Sequence, residues 1–185
     1  MTDFSEDQIL HIKKIKNEFQ NKFFKSFNVL GLEYVDVKNN FFVSGGCFAS
    51  LFQGEEPKDF DIYFTKKDNL FLVGKDNIAD IDENYELETE IKGKMVTANA
   101  ITLKAKENTI PIQLITKIYG EPEELRKSFD YVHCMPYFMD GKFYISKEQY
   151  ICCVSKFLKI NNSNIPEFWR KQKFKERGYT EYNGK

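Results

Sequence analysis

The chain has 185 residues, of which 42% are hydrophobic and 30% are charged, and its formal net charge is -1. No apolar run approaches the roughly 18 residues that a membrane-spanning helix needs, the N-terminus lacks a signal-peptide pattern, and four cysteines without Cys-x-x-Cys spacing argue against a zinc site or a disulfide framework. We therefore expect one cytoplasmic domain over residues 1–185, without a membrane partner.

The first predicted helix covers about residues 6–27. Ser5 and Gln8 have the spacing of a capping box at its start. Apolar residues then recur at helical spacing, at Ile9, Ile12, Ile15, Phe19, Phe23 and Phe27. This stripe predicts a helix that packs against the core rather than one that lines a cofactor pocket.

Residues 41–54 predict a strand, a tight turn and a short helix. Phe41-Phe42-Val43 is typical of a buried strand, and Gly45-Gly46 permits a sharp turn with exposed backbone amides. A helix from Cys47 to Gln53 follows, and Gly54 ends it. Because a helix N-terminus attracts anions, this turn favours phosphate binding.

Two carboxylates follow on the next predicted strand. Asp59 and Asp61 are separated by one residue and share one face, opposite Phe60, Ile62 and Phe64. Mg²⁺ is commonly held by one or two carboxylates together with substrate phosphates, and metal pairs promote phosphoryl-type displacements. An isolated Asp-x-Asp pattern is more often an exposed strand face, but the preceding glycine turn favours a site for Mg²⁺ or Mn²⁺.

The middle of the chain predicts a hairpin and a longer strand. The hairpin arms are residues 98–104 and 110–116, joined by a polar turn at residues 106–108. A strand is then expected from residue 129 to 138, with a turn at Asp140-Gly141. The expected fold is α/β (α+β), with a central mixed sheet of about five strands flanked by helices and a core over about residues 28–145.

The C-terminal extension, about residues 146–178, is predicted to be helical. One helix covers about residues 146–160 and a last one residues 166–177. Residues 156–185 contain eight basic against three acidic residues, which favours a polyanion such as RNA but equally fits a solvated face. Its larger aromatic residues are expected to pack on the core rather than stack on bases: Trp169, Phe174 and Tyr179.

The run from residue 45 to 62 resembles the signature of the polymerase-β-like nucleotidyltransferases, above all the head domain of bacterial-type tRNA CCA-adding enzymes and poly(A) polymerases. The signature G-G-x-V-R-D-x-L-L-G-x-x-P-K-D-I-D-I is matched without a gap at Gly45, Gly46, Gly54, Pro57, Lys58, Asp59, Asp61 and Ile62. This chain has Ala49-Ser50 where the family has an arginine-aspartate pair. Whatever that pair provides must be absent or supplied differently.

The resemblance implies a fold, a reaction and site residues. The reaction would move a nucleoside monophosphate from an NTP to an acceptor hydroxyl and release pyrophosphate. Asp59 and Asp61 would bind the metal, and Ser44, Gly45 and Gly46 would bind phosphate. The metal would be Mg²⁺ or Mn²⁺, and Lys58 would reach phosphate or solvent.

Two further positions follow from the resemblance. The family's third metal carboxylate corresponds to Gln113, whose neutral amide would hold a second ion less strongly. Residues 126–142 resemble the R-R-D-F-T-I-N-A motif and the Asp-Gly hairpin after it. Asp130 would therefore contact the nucleotide sugar, and Arg126 would contact phosphate.

The acceptor and the oligomeric state stay open at this point. The alternatives for the acceptor are an RNA end, a tRNA or protein as in toxin-type relatives, and a small molecule as in aminoglycoside-modifying relatives. A free-standing CCA-adding enzyme is not expected, because no base-templating motif follows the Asp-Gly turn. Gln113 and Ala49-Ser50 also leave a second class open, namely a nucleotide- or RNA-binding protein that kept the fold and lost turnover.

Overall fold

A computed structural model of the chain describes residues 4–29, 40–69, 91–96, 99–105, 109–161 and 165–182. The predicted turn at residues 106–108 lies outside these ranges. The two hairpin arms on either side of it are present as paired antiparallel strands, which confirms the hairpin.

Helix α1 (Glu6–Val29) begins and packs as its sequence predicts. The Ser5 hydroxyl accepts a hydrogen bond from the Gln8 backbone amide at 3.3 Å, and the Gln8 side chain accepts one from the Ser5 amide at 3.1 Å. The apolar stripe faces the core from its second turn onward, with Ile15, Phe19, Phe23 and Phe27 all buried. Ile9, at the start of the stripe, is 40% exposed.

Seven strands form one mixed sheet in the order β3-β4-β5-β2-β1-β6-β7. Neighbours are antiparallel except β2 and β5, which are parallel. The strands are β1 (Phe41–Ser44), β2 (Phe60–Phe64), β3 (Ile91–Val96), β4 (Ala100–Ala105), β5 (Ile112–Tyr119), β6 (Tyr137–Met139) and β7 (Lys142–Tyr144). The predicted mixed sheet flanked by helices is confirmed, with seven strands in place of about five.

Four further helices and a small second sheet complete the described fold. They are α2 (Gly46–Phe52), α3 (Pro122–Leu125), α4 (Lys147–Val154), α5 (Phe168–Glu176) and the parallel pair β8 (Phe157–Leu158) and β9 (Thr180–Glu181). Helix α4 is shorter than predicted because Lys156 has a φ of 52° and directs the chain into β8. In the described ranges, no helix is both long and apolar enough to span a membrane.

Aromatic side chains hold α1 and α2 against the sheet. The Phe19 ring of α1 lies 4.8 Å from Phe48 of α2, 5.5 Å from Phe60 of β2 and 5.0 Å from Phe138 of β6, between ring centroids. All four rings are fully buried, and such pairs add about 1 kcal/mol each beyond the burial of their surface. This packing fixes the β1–α2 turn and the start of β2 relative to each other.

The predicted strand over residues 129–138 is wrong for most of its length. Tyr131 makes only an isolated bridge to Ile160, and residues 132–134 form a 3₁₀ turn. Pro136 has no backbone N–H to donate to a strand partner, and regular pairing starts only at Tyr137. The turn that follows is confirmed, since Asp140 and Gly141 have φ values of 50° and 74°.

His133, in this 3₁₀ turn, is fully buried among the rings of Tyr131, Phe174 and Tyr179. Burial, with smaller contributions from Arg170 and Arg177, lowers its pKa from 6.5 to about 3. The unfolded chain binds a proton on this imidazole below pH about 6.5, whereas the folded protein binds it only near pH 3. Because the unfolded chain gains this proton and the folded protein does not, the free energy of unfolding falls as the pH falls from 6.5 to 3.

We expect this loss to reach about 1.4 kcal/mol per pH unit relative to a His133→Phe variant. Urea unfolding of both proteins at pH 7, 6, 5 and 4 measures it. Using the variant as reference removes the contribution of all other titrating groups. A free-energy difference that stays constant across this range would contradict the prediction.

Candidate active site

A cavity of about 830 Å³ lies at the edge of the sheet where β1 ends and β2 and β5 begin. Its volume is in the range of small-molecule binding pockets. Seven of the nine predicted site residues line it, namely Gly45, Gly46, Lys58, Asp59, Asp61, Gln113 and Asp130. The structure thus brings together residues that are up to 85 positions apart in sequence.

The two aspartates lie together at this cavity. Asp59 directly precedes β2 and Asp61 belongs to it. Burial raises the pKa of Asp59, and burial together with the charge of Asp59 raises the pKa of Asp61 to about 7. Two carboxylates that are difficult to ionise next to each other form a site that a cation would stabilise.

Gln113 lies directly beside this pair. It is the register partner of Asp61 in the parallel β2–β5 ladder, and its Nε2 lies 3.4 Å from Asp59 Oδ2. A flip of the amide would place the oxygen Oε1 there instead. Two carboxylates and an amide oxygen are hard ligands that suit Mg²⁺ or Mn²⁺. Within the described ranges, no three His, Cys, Asp or Glu residues cluster in a metal-binding group. The third donor beside Asp59 and Asp61 is therefore the amide of Gln113 and not another carboxylate.

The glycine turn fits around Asp61. Gly45 has a φ of 102°, and a Cβ at this position would lie 2.6 Å from Asp61 Oδ2. A side chain would therefore displace the carboxylate as well as strain the backbone. The Gly45 amide donates to the Cys134 carbonyl at 3.0 Å. A Cβ at Gly46, by contrast, would meet no atom within 4 Å, so open space adjoins the first residue of α2.

Two predicted phosphate-binding residues do not line the cavity. Ser44 is fully buried, and its hydroxyl donates to the Pro136 carbonyl at 2.8 Å. The Arg126 guanidinium donates to the Pro122 and Met135 carbonyls at 3.1 and 2.9 Å. Both side chains therefore hold backbone segments together.

Arg126 is further engaged by two side chains. It forms an ion pair with Glu123 at 2.9 Å, and its guanidinium carbon lies 4.4 Å from the centre of the Tyr137 ring. Arg126 is itself buried. These contacts link α3 to β6, a role that its position in a sequence motif did not indicate.

Helix α5 forms a wall of the cavity that the sequence did not reveal. Arg170, Lys173 and Arg177 line the cavity, and Arg170 forms an ion pair with Asp130. The spacing of these cations by three and four residues places them on one helix face. That spacing was the available signal, but it does not say what the face contacts.

The aromatic residues of this segment divide between two environments. Phe174 and Tyr179 are buried in a cluster with Tyr131, Cys134 and Leu158, as predicted. Trp169 is 57% exposed and lines the cavity, so its predicted core position is wrong. The cluster attaches α5 to the domain and leaves Trp169 at the cavity.

Solved structures of CCA-adding enzymes share this fold. The Thermotoga maritima enzyme complexed with tRNA is 16% identical with a TM-score of 0.58 over 92% of this chain and 42% of the enzyme. The Bacillus stearothermophilus enzyme in complex with CTP is 10% identical with a TM-score of 0.54, over 88% of this chain and 41% of the enzyme. A further CCA-adding enzyme with CTP is 15% identical with a TM-score of 0.56, over 93% of this chain and 42% of the enzyme.

The likeness is thus one of fold, and the chain spans about two fifths of the length of these enzymes. No curated protein sequence matches it significantly. A sequence profile described as Gabija anti-defense 2 family protein matches residues 12–162. This match includes α1 from residue 12 onward, the glycine turn, both aspartates, Gln113 and α4. The chain, which has a nucleotidyltransferase fold, therefore belongs to the Gabija anti-defense 2 family.

Proposed function

We propose that this protein is a metal-dependent nucleotidyltransferase, which moves a nucleoside monophosphate from an NTP to an acceptor hydroxyl and releases pyrophosphate. The observation that carries the proposal is the pairing of Asp59 and Asp61 beside the Gly45-Gly46 turn in one cavity. The CTP and tRNA complexes of the CCA-adding enzymes with this fold support an NTP and an RNA as partners.

Asp59, Asp61 and the amide oxygen of Gln113 would hold Mg²⁺ or Mn²⁺. Such an ion, when bound, neutralises the charge that develops on the reacting phosphates and lowers the pKa of the attacking hydroxyl. The side chains around it contribute orientation and charge rather than covalent chemistry.

The remaining residues of the site bind and orient the substrate. Gly46 leaves space for phosphate at the start of α2, and the exposed Lys58 would contact phosphate from the side of the cavity. Asp130, oriented by its ion pair with Arg170, would accept a hydrogen bond from a sugar hydroxyl. The Cys134 thiol at the same cavity is neutral, because burial raises its pKa to about 12, which disfavours a covalent thiolate mechanism.

The name of the family describes a role against Gabija defence. We propose that nucleotide transfer serves this role, in the cytoplasm, by modifying a component on which defence depends. The basic face of α5 beside the cavity favours an RNA end as acceptor. A tRNA or protein hydroxyl, as for toxin-type transferases, is the next candidate.

A second candidate function is supported by Gln113. Its neutral amide lies beside both aspartates, where the family resemblance implies a third carboxylate, so the site has less negative charge with which to hold a second metal ion. A protein that binds nucleotide or RNA without turnover would fit this composition.

Incubation with each α-labelled NTP, Mg²⁺ or Mn²⁺, and pools of small RNA and protein separates the two candidates. The transferase predicts label on an acceptor, and the label is lost in an Asp59→Ala variant. Nucleotide binding without transfer to RNA, to protein or to itself would support the binding protein instead. A protein that binds neither metal nor nucleotide in calorimetry would contradict both.

A further inference from the structure

Helix α5 has two basic faces with different surroundings. Arg170, Lys173 and Arg177 share the face that lines the cavity. Lys171 and Lys175 lie on another face, where both bond one carboxylate of β9, at 2.9 and 2.8 Å. One face is therefore paired within the protein, while the other adjoins the space where a substrate would bind.

Of the three cations on the cavity face, only Arg170 has a carboxylate to itself among the ion pairs of the described residues. Arg177 shares Glu55 with Lys156, at 3.2 and 2.7 Å, so that two cations pair with one carboxylate. Lys173 is exposed, and in the described part of the chain it forms no ion pair. Lys173 and Arg177 are thus the cations of this face that can pair with an anion once a metal ion neutralises Asp59 and Asp61.

Arg177 is already held in position against α2. Its Nη2 donates to the Ser50 hydroxyl at 2.9 Å, and that hydroxyl donates to the Gly46 carbonyl at 3.3 Å. Both hydrogen bonds of Arg177 use Nη2, so Nε and Nη1 make none within the described residues. A guanidinium that is ordered in advance and only 19% exposed loses little further entropy when it binds a ligand.

This arginine also contacts the position where the sequence departs from the signature. Ser50 is the second residue of the Ala49-Ser50 pair, and the cation that approaches it comes from the C-terminal end of α5. A different part of the sequence thus supplies a guanidinium at Ser50 of α2. Because the Gly45 amide is bonded to Cys134, the side chains of α5 are better placed than that amide to bind an anion.

The carboxylates and the cations of the cavity depend on each other. Lys173 and Arg177 line the same cavity as Asp59 and Asp61, so the two cations and the two carboxylates attract each other across it. A divalent cation on Asp59 and Asp61 would neutralise that attraction. The cations of α5 would then require an anion opposite the metal.

We propose that Lys173 and Arg177 bind the polyphosphate chain of the nucleoside triphosphate, which makes α5 the phosphate-binding wall of the site. This inference rests on the proposed function, because it names the residues that bind the substrate of that reaction. Arg177 donates from Nε and Nη1 to phosphate oxygens, and Lys173 neutralises charge as a mobile ammonium group. The contribution of these two residues to the binding affinity grows with the number of phosphates on the ligand.

Calorimetric titration of the whole protein with Mg²⁺ and an NTP, the matching NMP, or inorganic tripolyphosphate tests this inference. We expect Lys173→Met and Arg177→Met each to weaken NTP and tripolyphosphate binding by about 10-fold or more, and NMP binding by less than about 3-fold. Lys175→Met removes the same charge from the other face of α5 and should leave all three affinities unchanged. Lys173→Arg should retain most of the affinity.

The possible results separate this inference from the proposed function. Equal losses for NTP and NMP, or unchanged NTP binding in Lys173→Met, would overturn the inference while nucleotide transfer stands. A wild-type protein that binds neither NTP nor tripolyphosphate would overturn both. If Arg177→Met unfolds because its contacts with Ser50 and Glu55 are lost, the exposed Lys173 still provides the test.

Discussion

Replacing Asp61 by Asn should abolish nucleotide transfer and at the same time stabilise the folded protein. Transfer should fall by at least about 100-fold, because the variant lacks a charge that positions the metal and the substrate phosphates. Stability should rise because burial and the neighbouring Asp59 raise the pKa of Asp61 from 3.8 to about 7. In the metal-free protein, ionisation of Asp61 therefore opposes folding.

The sign of the pH dependence follows from this raised pKa. Above pH 7, Asp61 is ionised in both the folded and the unfolded protein, and its charge destabilises the folded one. The free energy of unfolding of the variant should therefore exceed that of the wild type by about 2–4 kcal/mol. As the pH falls from 7 towards 4, the folded wild type binds a proton and the advantage of the variant disappears. Urea unfolding in EDTA at pH 8 and pH 5, together with a transfer assay, measures both effects.

Asp68→Asn is the matched control, since Asp68 is an exposed aspartate outside the cavity. It should change neither transfer nor the free energy of unfolding appreciably. Loss of transfer in Asp61→Asn accompanied by lower stability at pH 8 would indicate damage to the fold. Retained transfer would exclude Asp61 from the reaction.

Replacing Gln113 by Glu should strengthen metal binding and weaken the metal-free fold. The new carboxylate would lie where Gln113 Nε2 is now 3.4 Å from Asp59 Oδ2, and a third charge raises the affinity of an oxygen site for a divalent cation. We expect Mg²⁺ affinity to rise by about 10-fold or more. Without metal, three adjacent carboxylates should lower the free energy of unfolding by about 1–3 kcal/mol.

Thermal unfolding across a series of Mg²⁺ concentrations measures both effects, because a ligand that binds only the folded state raises the midpoint. Gln20→Glu introduces the same charge on α1, outside the cavity, and should not alter the Mg²⁺ response. Weaker Mg²⁺ binding in Gln113→Glu would show that this position does not adjoin the metal. If transfer also increases, the amide limits the natural activity.

The site could be predicted from sequence where its geometry is local. The residues from Phe41 to Phe64 form one continuous strand–turn–helix–strand unit, in which spacing alone decides which groups share a face. Gln113 was placed by its match to the family's third carboxylate, and the parallel pairing of β2 with β5 brings it beside Asp61. Glycine positions and apolar spacing were therefore sufficient to predict the elements of this half of the cavity, and the family resemblance supplied Gln113.

The other half depends on tertiary contacts that spacing does not encode. Arg126 has the position of a phosphate ligand in its motif, yet nearby carbonyls and Glu123 bind its guanidinium. Lys173 and Arg177 look like ordinary surface cations until the burial of Phe174 fixes which face of α5 meets the cavity. Long-range packing, rather than local preference, thus selects the residues of this wall.

Comparison of α-labelled and γ-labelled NTP tests the central claim most directly. With Mg²⁺ and a mixed pool of acceptors, nucleotidyl transfer predicts that the α-label becomes attached to an acceptor while the γ-label leaves as pyrophosphate in equal amount. Both signals should be absent in Asp59→Asn. Transfer of the γ-label, release of inorganic phosphate alone, or binding of NTP without pyrophosphate formation under any of these conditions would contradict nucleotidyl transfer.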